Sequence, residues 1–125
     1  MLVDDNEIDN FINGKMIEGC NFSDYVYIHT SSKSALEFIN NLQRIGDAGR
    51  QLSPELILLD INMPIMDGFQ FVEEFEKSGV SNIKIVILSS SINAEDEIRS
   101  KQYKSVIGYL SKPLTQEALS SIGRQ

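Results

Sequence analysis

The sequence predicts an α/β fold, a doubly wound parallel sheet of five strands with helices on both faces. Two observations lead to this prediction. Five short apolar runs alternate with five segments of helical periodicity along the 125 residues, the pattern of a parallel sheet whose crossovers are helices. The run Leu56–Leu59 is apolar throughout, as in a strand that is buried on both faces. At this size the usual strand order is the flavodoxin-like order 2-1-3-4-5.

Each element follows from the local pattern. The predicted strands are residues 1–3, 25–28, 56–59, 83–88 and 106–110. The predicted helices, with apolar residues three or four apart, lie within residues 8–19, 35–42, 68–77, 94–102 and 114–122. Asp67 is placed to cap the third helix, and residues 46–53 read as a polar loop. The fourth helix is polar and weakly periodic, so it should be the least firmly docked.

Composition limits the class of protein. The apolar fraction of 42% and the charged fraction of 23% are ordinary for a single soluble globular domain. The net charge of -7 disfavours direct binding of nucleic acid. The only cysteine, Cys20, cannot form an internal disulfide, and no apolar run approaches the length of a membrane span. We therefore expect a cytoplasmic protein without a signal peptide.

Carboxylates follow two of the predicted strands. Asp4 and Asp5 end the first strand and Asp60 ends the third. In the order 2-1-3-4-5 these two strands flank the switch point, where open α/β sheets bind ligands at the carboxyl ends of their strands. Three converging carboxylates repel each other unless a cation lies among them. Oxygen ligands with open water positions suit Mg²⁺, although capping of the first helix would also account for Asp5.

The fourth and fifth strands end in groups that could bind an anion. Ser89 ends the fourth strand and Lys112 follows the fifth. Each alone is a weak signal, since Ser89 fits a turn and most lysines are surface charges. Together with the carboxylates they form the set that phosphoryl transfer needs, in which Asp60 attacks and the cations neutralise the phosphoryl oxygens.

The motifs at these strand ends carry a resemblance to a known family. They are LVDDN at residues 2–6, LLDINMPIMDG at 58–68, ILSS at 87–90 and YLSKP at 109–113. With them the chain resembles, over nearly its whole length, the receiver domain of two-component response regulators of the CheY-like superfamily. The resemblance implies that Asp60 accepts a phosphoryl group from a histidine kinase or a histidine phosphotransfer protein, in a reaction directed at the protein itself.

The resemblance also implies roles for the other site residues. Asp4, Asp5, Asp60 and the backbone carbonyl of Asn62 would bind Mg²⁺, or Mn²⁺. Ser89 and Lys112 would bind the phosphoryl oxygens. Tyr109 would be the aromatic switch that turns inward when Ser89 moves, and the Lys112–Pro113 bond would be cis. Asn62 and Ser91 occupy positions that tune the lifetime of the phosphoryl group in such domains.

The chain departs from the family pattern at two places. The first strand has only three residues ahead of the acidic pair, where strands usually have five or six, which leaves the natural start of the chain open. Ser89 stands where threonine is commoner, with the hydroxyl retained. Away from the site, we expect His29 to be a surface residue, and Tyr25 and Tyr27 to pack against helices.

Two other functions compete with the receiver. A phosphatase of the haloacid-dehalogenase type also uses a strand-end aspartate, but it needs a second aspartate where this chain has Asn62, and its acidic pair comes late in the chain. A silent interaction module would keep the fold and lose the chemistry, which the intact set of site residues disfavours. As a receiver, the protein would be stand-alone or a phosphorelay intermediate. It would be monomeric, or dimeric on phosphorylation, and it would act on a downstream protein that the sequence does not reveal.

Overall fold

The computed structural model describes residues 1–23, 25–90 and 93–123, and within them a parallel sheet with flanking helices. The strands are β1 (Leu2–Val3), β2 (Ile28–His29), β3 (Leu56–Asp60), β4 (Lys84–Ser89) and β5 (Val106–Ser111). The helices are α1 (Glu7–Gly19), α2 (Ser32–Ile45), α3 (Asp47–Leu52), α4 (Gly68–Lys77), α5 (Ala94–Ser100) and α6 (Gln116–Gly123). The strand order is β2-β1-β3-β4-β5, and every pairing is parallel. The predicted fold class is confirmed.

The core forms on both faces of the sheet because successive strand residues point to opposite sides. On one face Val3, Leu59 and Ile85 pack with the buried residues of α2 and α4, such as Ile39 and Phe71. On the other face buried residues of the sheet pack with α1 and α6; they are Leu2, Leu58, Val86 and Leu88. Within the described residues, no helix is long and apolar enough to cross a membrane.

The structure corrects two element predictions. Residues 46–53 were predicted as a loop, but α3 occupies most of that segment. Gly46 ends α2 with a φ of 86°, and α3 then packs so closely on α2 that a Cβ on Gly49 would lie 1.8 Å from the Leu42 carbonyl oxygen. The second strand was predicted at residues 25–28 and lies at Ile28–His29. It is short because β1 offers only Leu2 and Val3 as partners.

Two other local predictions agree with the structure, and the cap of the first helix differs from the prediction. The Asp67 side chain accepts a hydrogen bond from the Gln70 N–H and caps α4 in a capping box. In α5, Ser100 is the buried residue, as expected for a weakly docked helix. The predicted first helix begins one residue after Asn6, whose side chain accepts from the N–H groups of Ile8 and Asp9. Asn6, and not Asp5, is therefore the cap.

Gly68 closes the loop between β3 and α4 against the strand that carries Asp60. Its N–H donates to the Ile61 carbonyl at 3.0 Å, and an added Cβ would lie 2.6 Å from the Ile61 Cα. We expect Gly68→Ala to lower the free energy of unfolding, measured by urea denaturation, by about 1–3 kcal/mol, since the backbone must move. Gly19→Ala is the control, because nothing lies within 4 Å of its added Cβ; equal losses would contradict the packing argument.

Candidate functional site

Three carboxylates meet at the carboxyl ends of β1 and β3. Oxygen atoms of Asp4, Asp5 and Asp60 all lie within 4.8 Å of one another. Asp4 and Asp60 are buried, whereas Asp5 is exposed. The convergence follows from the register, because β1 and β3 are direct neighbours in the sheet. The predicted convergence of these three carboxylates is thus present in the structure, while their role as metal ligands stays a prediction.

Backbone and side-chain hydrogen bonds fix the two buried carboxylates. Asp4 Oδ1 accepts from the Asn6 N–H at 2.9 Å, and the Asp4 backbone carbonyl accepts from Asn10 Nδ2 at 2.8 Å. Asp60 Oδ1 accepts from the Asn62 N–H at 3.3 Å. The start of α1 thus orients Asp4, while the turn after β3 orients Asp60.

Lys112 brings a largely buried ammonium into the cluster. Its Nζ lies 2.6 Å from Asp4 Oδ2, 3.0 Å from Asp9 Oδ2 and 3.4 Å from Asp60 Oδ1. The Lys112 N–H donates to the Ser89 carbonyl at 2.8 Å, and the Lys112–Pro113 peptide bond is cis, the predicted isomer. The end of β5 therefore places the Lys112 ammonium in contact with the carboxylates at the ends of β1 and β3.

Asp9 is a member of the site that the sequence reasoning missed. It lies in the first turn of α1, where an acidic residue is accounted for by the helix dipole. Only the angular position of α1 shows that its side chain reaches Lys112. The available signal was an aspartate four residues beyond the acidic pair, a pattern that is too common to be specific.

Burial and the charges of the cluster shift the pKa values of Asp60 and Lys112. Burial, and then the charge of Asp4, raise the pKa of the Asp60 carboxyl above its ordinary value of 3.8, and the opposing effects of Lys112 and the Asn62 N–H do not cancel this rise. Burial alone would lower the pKa of the Lys112 ammonium, but hydrogen bonds to Asp4 and Asp9 and the charge of Asp60 raise it instead. Lys112 is therefore charged at neutral pH.

Ser89 lies on β4, the strand beside that of Asp60, and Tyr109 lies on β5, one strand further out. Ser89 is the last residue of β4 and is 1% exposed, and β4 pairs directly with β3. Tyr109 packs beside Ile61, Phe69 and Ile87. Its hydroxyl is buried and has no hydrogen-bond partner among the described residues. The switch roles of both residues stay predictions, and Ser91 lies outside the described residues.

The residues of the cluster fit a divalent cation. The Lys112 ammonium contacts the carboxylates of Asp4, Asp9 and Asp60, and Asp5 adds a further carboxylate beside Asp4 and Asp60. The excess negative charge and the hard oxygen ligands are suited to Mg²⁺ or Mn²⁺. Asp4, Asp5 and Asp60 would hold the ion, and the role of the Asn62 carbonyl stays a prediction.

The residues predicted to lie away from the site do so. His29 lies in β2, where its Nδ1 is 2.9 Å from Ser34 Oγ and its ring contacts Phe38. Tyr27 also contacts Phe38, as expected for a packing residue. Tyr25, in contrast, is 79% exposed, so the expectation that it packs against a helix was wrong.

Comparisons with known proteins identify the family. A model of the response regulator receiver domain matches residues 1–123. The chain is 28% identical over 120 residues to the probable methanogenesis regulatory protein FilR2 of Methanothrix harundinacea, a match that covers 95% of this chain and 74% of that protein. It is 30% identical over 105 residues to the nitrate/nitrite response regulator protein NarL of Escherichia coli, covering 77% of this chain. The chain spans 48% of the length of NarL.

Solved structures give the same result. A two-component response regulator from Cytophaga hutchinsonii superposes with a TM-score of 0.87 at 29% identity, covering 98% of this chain and 91% of that one. The response regulator Rcp1, solved in a Mn²⁺-bound form, superposes with a TM-score of 0.72 at 27% identity, covering 97% of this chain and 86% of that one.

Proposed function

This chain belongs to the response regulator receiver family, a family of signalling phosphoacceptors, and we propose that Asp60 accepts a phosphoryl group in a Mg²⁺-dependent reaction. The donor would be a phosphohistidine on a histidine kinase or a histidine phosphotransfer protein. One observation carries the proposal: the buried Asp60 carboxylate lies in one cluster with Asp4 and Asp5, and its Oδ1 is 3.4 Å from the Lys112 ammonium.

The chemistry divides among the residues of the site. An Asp60 carboxylate oxygen attacks phosphorus, a P–O bond forms, the P–N bond to the donor histidine breaks, and the imidazole leaves with the bonding electron pair. Lys112, already held by Asp4 and Asp9, offers positive charge to the phosphoryl oxygens as the group arrives. The Ser89 hydroxyl would donate a hydrogen bond to another of these oxygens. A bound Mg²⁺ would supply further charge neutralisation.

The raised pKa of the Asp60 carboxyl supports the role of Asp60 as the attacking nucleophile. Burial and Asp4 disfavour the negative charge on Asp60, and a carboxylate that is poorly solvated is a better nucleophile than one in bulk water. A divalent cation in the cluster would keep the group ionised at neutral pH. The same ion would thus maintain the attacking form of Asp60 and balance the incoming phosphoryl charge.

The proposal is tested by the intact mass of the protein after incubation with Mg²⁺ and acetyl phosphate. We expect a mass gain of one phosphoryl group, labile in base, that is lost in Asp60→Asn and in the presence of a chelator. Asp47→Asn is the matched control, because Asp47 is an exposed aspartate at the start of α3, and it should be phosphorylated like the original chain.

The competing functions predict different outcomes of the same experiment. A silent interaction module, correctly folded by circular dichroism, would gain no mass. A phosphatase would release inorganic phosphate from added phosphate monoesters in many turnovers, which a receiver that acts on its own Asp60 would not do. The elution volume in size-exclusion chromatography, measured with and without acetyl phosphate, then reports whether phosphorylation produces a dimer.

A further inference from the structure

Of the three carboxylates that contact the Lys112 ammonium, Asp9 is the one outside the three-carboxylate cluster. The ammonium donates to Asp9 Oδ2 at 3.0 Å, which makes a charge-assisted hydrogen bond. The other two partners, Asp4 and Asp60, are also carboxylates that would hold the divalent cation. Among the described residues, the ammonium thus has one carboxylate partner that the ion would not engage.

Two buried asparagines fix the rotation of α1 that brings Asp9 to this contact. Asn10 Nδ2 donates to the Asp4 backbone carbonyl at 2.8 Å, and Asn13 Oδ1 accepts from the Leu114 N–H at 3.0 Å. Both asparagine side chains are buried. Asn13 lies four residues after Asp9, so their side chains lie on the same face of the helix. The segment that follows β5 is therefore held against the face of α1 that carries Asp9.

The helix dipole does not account for the contact between Asp9 and Lys112. An acidic residue in the first turn of a helix interacts favourably with the dipole whether or not it meets a cation. Glu7 lies in the same turn and is exposed, and the carboxylates at the Lys112 ammonium are those of Asp4, Asp9 and Asp60. Glu7 and Asp9 therefore share the dipole and differ in their contact with the ammonium.

A divalent cation among Asp4, Asp5 and Asp60 would change what holds Lys112 in place. The charge of the ion repels the ammonium and offsets the negative charge of the carboxylates that bind the ion. Because lysine has a flexible four-carbon stem, an ammonium without another partner can turn away toward solvent. Asp9 opposes this movement, since its carboxylate contacts the ammonium from outside the three-carboxylate cluster.

We propose that Asp9 is a positioning residue that keeps the Lys112 ammonium in the site when Mg²⁺ is bound, an inference that rests on the Mg²⁺-dependent phosphoryl transfer proposed for Asp60. The two cations of the site then have separate anchors. Asp4, Asp5 and Asp60 hold the ion, and Asp9 holds the ammonium at the place where the phosphoryl oxygens arrive. Asp9 acts through Lys112 and does not itself touch the phosphoryl group.

The first test is the rate at which sulfosuccinimidyl acetate acetylates the Lys112 amine, measured by peptide mass spectrometry with and without saturating Mg²⁺. In the original chain and in Glu7→Gln, Lys112 should stay protected in both buffers. In Asp9→Asn it should stay protected without the ion, because Asp4 and Asp60 still contact the ammonium. With the ion, acetylation of Lys112 in Asp9→Asn should be faster by on the order of tenfold, the effect of losing one charged hydrogen bond.

The outcomes separate the role of Asp9 from the proposed function. Lys77, whose side chain is 74% exposed, is the internal reference for the reagent, and calorimetric titration shows whether Mg²⁺ is bound. Equal labelling of Lys112 in Asp9→Asn and the original chain with Mg²⁺ bound would overturn the role of Asp9 and leave the phosphoryl transfer standing. Labelling that is equally fast in Asp9→Asn with and without the ion would also overturn it, because it would indicate a general loosening of α1. Failure of the original chain to bind Mg²⁺ would overturn the proposed function together with this inference.

The second test is the rate of phosphorylation by acetyl phosphate at saturating Mg²⁺. Asp9→Asn should lower the rate constant by on the order of tenfold, since the ammonium no longer waits in the site, whereas Glu7→Gln should keep the original rate. Asp9→Glu restores a carboxylate on the same face of α1 and should recover part of the rate. A rate in Asp9→Asn equal to that of the original chain would overturn the proposal.

Discussion

Replacing Lys112 with Met is expected to lower the free energy of unfolding at pH 7 by about 3 kcal/mol in buffer without divalent cations. The side chain is 10% exposed, and its Nζ contacts the carboxylates of Asp4, Asp9 and Asp60. Met fills a similar volume, so the loss measures charge more than packing. Removing the ammonium that contacts these three carboxylates leaves their mutual repulsion uncompensated.

The loss of stability in Lys112→Met should depend on pH. The pKa of Asp60 determines the direction of this dependence. That pKa is already raised above 3.8 in the folded chain, and removal of Lys112 raises it further. Between the ordinary and the raised value the folded state binds more protons than the unfolded state, so stability falls as the pH rises through this window. The difference between Lys112→Met and the original chain should therefore shrink as the solution is acidified toward pH 4.

Urea denaturation at several pH values and Mg²⁺ concentrations would measure both effects. Mg²⁺ should recover part of the stability of Lys112→Met, because binding to the folded state alone stabilises it. Lys77→Met is the matched control: its side chain is 74% exposed and pairs with Glu74 at 3.3 Å, so little change is expected. Similar losses in the two variants at pH 7 would show that the Lys112 cluster does not stabilise the fold.

The members of the site could be predicted from the sequence where strand order alone decides them. Asp4, Asp60, Ser89 and Lys112 end strands or follow them directly, and parallel strands in the order 2-1-3-4-5 bring these ends together. Nothing about side-chain packing is needed for that step. Asp9 could not be predicted in this way, because its contact with Lys112 depends on the rotation of α1 about its axis.

The fold prediction failed in segments whose structure is set by a neighbouring strand or helix and not by their own sequence. Tyr25 to Ile28 have strand-forming side chains, but β2 extends only over the residues that β1 can pair, so Ile28 and His29 form it. Similarly, the polar segment after Gly46 has no apolar periodicity to indicate a helix. Its helix α3 packs with Gly49 close to the Leu42 carbonyl, a contact that the residue pattern does not indicate.

Replacing Asp5 with Asn is expected to weaken Mg²⁺ binding by on the order of tenfold or more, with little change in stability. Asp5 is the exposed member of the three carboxylates, and the three contacts of Lys112 fall on other residues. The amide keeps the shape and an oxygen ligand but removes one negative charge beside the divalent ion. Because the charge is exposed in the free protein, its loss does not disturb buried groups.

Calorimetric titration with Mg²⁺ would measure this affinity, with Asp9→Asn as the control. Asp9 also carries a negative charge close to Lys112, but it is outside the three-carboxylate cluster. If the ion is held by direct carboxylate ligands, Asp5→Asn should lose far more affinity than Asp9→Asn. Equal losses would mean that the cluster attracts Mg²⁺ only through its net charge, and phosphorylation of Asp60 would then tolerate Asp5→Asn at high Mg²⁺ concentration. The comparison therefore separates a metal site with defined ligands from a diffuse acidic surface.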